Sequence, residues 1–141
     1  MKKELLCFLC PVAFLFFAGC AGGGSQGARS SSQMTSEQAV VKDIFWEWRN
    51  HIINNNWDKA YSLTSQTVKN SYNNNFQTWK LDYETSAIKD HLKDIVEIKQ
   101  VGIGDDGMAT VVVEMRDKTK ILWTAANEMG RWRVEKVIPP R

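Results

Sequence analysis

Cysteine is absent from almost the whole chain. The three present are Cys7, Cys10 and Cys20, all within the first 20 of 141 residues. The body that follows therefore offers no disulfide, no thiol nucleophile and no thiolate metal site. A dominant charge is missing as well. Leaving out Lys2, Lys3 and Glu4 takes the 18 basic and 16 acidic residues to 16 and 15, a net charge of about +1. No run of like charges stands out, which argues against nucleic acid or an acidic polymer as partner. Histidine is limited to His51 and His91, neither with a second histidine or a carboxylate at a recognised metal-ligand spacing. The chain also lacks a glycine-rich phosphate loop, a nucleophile elbow, a Cys/His pair and internal repeats. Motifs thus assign no catalytic residue, no cofactor and no metal site.

What is present begins at the N-terminus. Lys2 and Lys3 lead an apolar stretch from Leu5 to Ala18 that includes Phe8, Leu9, Val12, Phe14, Leu15, Phe16 and Phe17. About 14 residues at 1.5 Å each cover roughly 21 Å, short of the ~30 Å hydrocarbon core, so the length is that of a signal-peptide h-region. The closing Phe17-Ala18-Gly19-Cys20 resembles the lipobox of a bacterial lipoprotein signal peptide, with phenylalanine where leucine is commoner. The resemblance implies that Cys20 becomes the first mature residue and carries a diacylglyceryl group, followed by acylation of the new amine. Two or more chains anchor firmly where one binds marginally. The alternative is an ordinary secretory signal cut near Gly19, leaving Cys20 a spare thiol.

Ala21-Gly22-Gly23-Gly24-Ser25-Gln26-Gly27 and Ser30-Ser31-Ser32 follow. Gly/Ser-rich sequence behaves as a flexible coil, and about 14 residues reach roughly 20 Å. The expected organisation is a signal peptide over 1–19, a lipidated cysteine and linker over 20–34, and one domain over 35–141. Ala21 stands where aspartate would favour inner-membrane retention. This favours the periplasmic face of the outer membrane in a Gram-negative cell envelope.

The domain holds all six tryptophans and reads helices first, strands afterwards. Thr35 with Gln38 fits a capping box, and Val41, Ile44, Phe45, Trp48 and Ile52 form one apolar stripe. Asn54-Asn55-Asn56 ends that helix, since asparagine tolerates the left-handed conformation. Trp57, Ala60, Tyr61 and Leu63 predict a second helix, and Val68–Tyr72 a further turn. Asn73-Asn74-Asn75 caps a helix carrying Phe76, Trp79 and Leu81, whereas residues 84–93 are ambiguous. From Ile95 the period changes to two. Ile95–Ile103 reads as a bulged strand, Asp105-Asp106-Gly107 as a hairpin turn, and Ala109, Val111, Val113 and Met115 as one strand face. Turns near Arg116-Asp117-Lys118 and Glu128-Met129-Gly130 separate two more strands, and Pro139-Pro140 ends the last. Short connections demand an antiparallel meander. The predicted class is α+β, with N-terminal helices packed on a curved four-stranded sheet.

The long opening helix, the Trp57-Asp58-Lys59-Ala60-Tyr61 segment and the Gly130-Arg131-Trp132-Arg133-Val134 ending resemble the cone-shaped nuclear-transport-factor-2-like family, also called SnoaL-like or cystatin-like. The resemblance spans most of residues 36–138. It implies a cone-like domain in a fold that hosts binding modules alongside isomerases and cyclases. No motif of those enzymes can be placed here residue by residue, so function has to come from the site.

Candidate chemistry is sparse. His51 lies near the end of the first helix, where the dipole favours a cation. Asp82, Tyr83 and His91 form the best acid–base grouping if the segment after the third helix folds over the cone mouth; otherwise they are simple loop residues. Trp46, Trp79, Tyr83, His91 and Trp123 are the candidate pocket-lining residues, and Trp48 and Trp132 the core ones. The expected function is a lipid-anchored envelope module that binds a protein, an envelope polymer or a small apolar ligand. The alternative is a small-pocket enzyme of isomerase or dehydratase type.

Overall fold

The capping box at Thr35 starts the first helix. In the computed structural model, which describes residues 33–138, the Thr35 hydroxyl accepts from the Gln38 N–H. The Gln38 side chain in turn accepts from the Thr35 N–H at 2.8 Å and donates to the Val101 carbonyl at 2.8 Å. Helix α1 runs Ser36–Ile53 and buries Val41, Phe45, Trp48 and Ile52, steps of three and four that return to one helix face. Asn54 closes it and Asn55 takes a φ of 59°, the left-handed value that asparagine tolerates.

Four short helices follow: α2 (Trp57–Ser62), α3 (Gln66–Ser71), α4 (Phe76–Thr85) and α5 (Ile88–Lys93). Ser65 caps α3 by accepting from the Val68 N–H, and Asn75 caps α4 by accepting from the Thr78 N–H. Residues 84–93 hold the end of α4 and all of α5. Leu81 lies on the solvent side of α4, 59% exposed, because Phe76, Trp79 and Tyr83 turn the opposite face inward. The C-terminal end of α5 draws on α1: the Arg49 guanidinium donates to the carbonyls of Leu92, Lys93 and Ile95, supplying partners that a helix end lacks.

Strands β1 (Ile95–Ile103), β2 (Met108–Met115), β3 (Lys120–Glu128) and β4 (Arg131–Ile138) form one antiparallel sheet in chain order. β1 buries every third residue, Ile95, Ile98 and Val101. Register shifts lie between Ile95 and Glu97 and between Ile98 and Gln100, and a bulge inserts one extra residue. The shifts keep the buried residues opposite Met115, Val113 and Val111 of β2. A third bulge lies in β4, where Ala125 faces Val134 and Thr124 faces Lys136, leaving Glu135 without an opposite residue. Met129 and Gly130 both have positive φ, 53° and 80°, as a tight right-twisting hairpin requires.

α1 packs against β1, β4, α2 and α5, so its stripe lies across the sheet from edge to edge. The core is mainly aromatic there. Phe45 and Trp48 each meet Trp123 edge-on with centroids 5.2 Å apart, and Trp48 meets Tyr83 at 5.9 Å. The link between α2 and α3 guards the sheet edge: Ser65 N–H donates to Val134 C=O, and Val134 N–H donates to Leu63 C=O. Among the described residues no helix is long and apolar enough to cross a membrane.

Candidate functional site

Where α3, α4 and α5 approach β3 and β4, they leave a cleft of about 480 Å3. Thr67, Val68, Ser71 and Tyr72 line it from α3 and its C-cap, Tyr83 from α4 and Ile88 from α5. Thr124 and Glu135 line it from the sheet. The walls are mainly apolar with a few polar groups, the usual make-up of a small-molecule site, and the volume is in the range of such sites.

Each polar group has a distinct state. The Tyr83 phenol is buried, and loss of solvent, with a smaller contribution from the Asp82 charge, pushes its pKa up to about 12. It is therefore a neutral hydroxyl at physiological pH. The Tyr72 hydroxyl donates to Asp82 Oδ2 at 2.6 Å, and burial followed by this bond raises its pKa as well. The Ser71 hydroxyl donates to the Val68 carbonyl at 2.7 Å. Glu135 Oε2 is buried with no hydrogen-bond partner.

The residues singled out from the sequence are dispersed. Tyr83 lines this cleft. Trp79 and Trp123, expected as lining, lie instead in the core, 0% and 2% exposed. The reason is helical and strand geometry: Trp79 shares the inward face of α4 with Tyr83, its ring 4.8 Å from that phenol, and Trp123 lies opposite buried Val111. Trp46 is half-buried beside Phe45, with the Arg49 guanidinium 5.0 Å from its ring centroid, and does not line the cleft. His91 is exposed on α5 and borders a separate depression with Asp94, Met115, Arg116 and Asp117. Asp82, Tyr83 and His91 therefore do not share one site. His51 lies 3.5 Å from Glu47 one turn earlier on α1. Cys20, with the expected signal peptide and most of the expected linker, lies outside the described residues.

Sequence reasoning missed Tyr72, Ile88, Thr124 and Glu135. Glu135 follows inward-facing Val134 and reads as outward by alternation; only the bulge signals otherwise. Among the described residues no group of three or more His, Cys, Asp or Glu could hold a metal ion. No protein-family model, curated protein or solved structure matches the chain. The class defined by the fold is an α+β domain, helices first, on a four-stranded antiparallel meander.

Proposed function

We propose that this chain is a lipid-anchored protein of the bacterial envelope whose domain binds a small, largely apolar ligand. The carrying observation is the cleft between α3, α4, α5 and the β3–β4 pair, apolar over most of its lining. The anchor rests on Cys20 and the h-region before it, and, for a Gram-negative cell, the periplasmic face of the outer membrane rests on Ala21. The domain is of the nuclear-transport-factor-2-like cone type. This assignment is supported by the long opening helix, the short helices after it and the meander across which α1 lies.

Binding is favoured over proton transfer because a phenol held near 12 is poorly matched to acid–base work at neutral pH. A second reading, isomerase or dehydratase chemistry, draws on Tyr83 and Glu135 lining the same cleft. In that case the phenol would serve as a hydrogen-bond donor and the carboxylate as the base.

The test fills the cleft. The neutral dye N-phenyl-1-naphthylamine should brighten on mixing with the protein. The gain should vanish in Ile88→Trp, provided that variant keeps the parent far-UV spectrum and melting temperature. An unchanged gain in a well-folded Ile88→Trp would place the dye elsewhere and remove the cleft as the site.

A further inference from the structure

We infer that the ligand of this cleft carries an amine, with its ammonium on Glu135 and its apolar body against Val68, Ile88 and Tyr83. The inference rests on the binding reading above and adds the chemical class of the ligand. It starts from the β4 bulge. Trp132 and Val134 face the core in regular alternation, so a regular strand would turn residue 135 to the opposite face. The register shift leaves Glu135 without an opposite residue on β3 and among the lining of the cleft. Bulges commonly re-aim a side chain in this way beside a site.

A carboxylate oxygen placed there needs a donor. Oε2 of Glu135 is buried and has none, and an unmet buried acceptor is unfavourable. Lysine and arginine are absent from the described lining. Two nearby hydroxyls are already committed, Tyr72 to Asp82 and Ser71 to the Val68 carbonyl. An ammonium brings three donors on a compact head, and the lining includes the aromatic rings of Tyr72 and Tyr83, a residue type that attracts cations.

The test compares three probes of matched body on the full chain: phenethylamine, 2-phenylethanol and 3-phenylpropionate. Binding is read from amide shifts of Val68 and Ile88 in ¹⁵N-labelled protein. Phenethylamine should bind at least tenfold more tightly than the alcohol, and the propionate least. Glu135→Gln should erase the preference for the amine over the alcohol. Equal binding of amine and alcohol at the cleft, or a preference for the propionate, would overturn the amine inference and leave the binding cleft standing. If no probe moves the cleft resonances, both readings fall.

Discussion

Replacing Trp48 by phenylalanine tests whether the aromatic core is assembled as described. Trp48 is 1% exposed, and its indole N–H donates to Thr64 Oγ1 at 3.1 Å. Its ring also stands edge-on to Trp123 and Tyr83. Phenylalanine retains one ring and leaves a void of about 40 Å3, which at about 24 cal/mol per Å3 costs about 1 kcal/mol. Loss of the hydrogen bond adds about 1 kcal/mol. The Thr64 hydroxyl still donates to the Ala60 carbonyl at 2.9 Å, so no buried donor is orphaned and the total stays near 2 kcal/mol. With a urea m-value of about 2 kcal/mol per M, the midpoint falls by about 1 M. Far-UV circular dichroism is the right probe, since the substitution removes a fluorophore. The pair with Thr64→Val should show a coupling of about 1 kcal/mol. A loss under about 0.5 kcal/mol for Trp48→Phe, or no coupling, would refute the placement of the indole against Thr64.

The Tyr83 phenol supplies a pH test. Its pKa is raised from 10.0 to about 12 by burial first, so the folded state favours the protonated form. The associated stability is complete below pH 10 and is lost as pH rises from 10 through 12. Between pH 9 and pH 11.5 the parent should lose about 2 kcal/mol more than Tyr83→Phe in urea unfolding; parallel losses would show that the phenol is solvated. For the anchor, Cys20→Ala should abolish metabolic palmitate labelling and shift the protein from the membrane to the soluble fraction. Unchanged membrane association would sink the lipoprotein reading.

Much of the fold was legible because its signals are local. The Thr35–Gln38 box, the caps at Asn54 and Asn75 and the turns at Gly107 and Met129-Gly130 depend on backbone preferences within about four residues. Short links between strands then leave the meander as the natural sheet. The irregular parity of Ile95, Ile98 and Val101 announced a bulged β1, since an extra residue shifts every later side chain. Leu81 shows the limit of that reading: it fits a helix in composition, and only the choice of inward face by Phe76, Trp79 and Tyr83 turns it to solvent.

The sequence by itself determined the α+β class, the four strands in their order, the capped starts of α1 and α4 and the aromatic load of the domain, but not the end of α4 or the existence of α5 within residues 84–93. The tertiary structure decided which aromatics pack inside and which line the cleft, because that depends on partners far apart in the chain. Trp79 rests on Tyr61 from another helix, and Trp123 on Trp48 from α1. It also decided the place of Glu135. Alternation along β4 sends that carboxylate outward, and the register with β3 inserts it into the cleft. A bulge belongs to two strands at once, so neither strand's residues specify it alone.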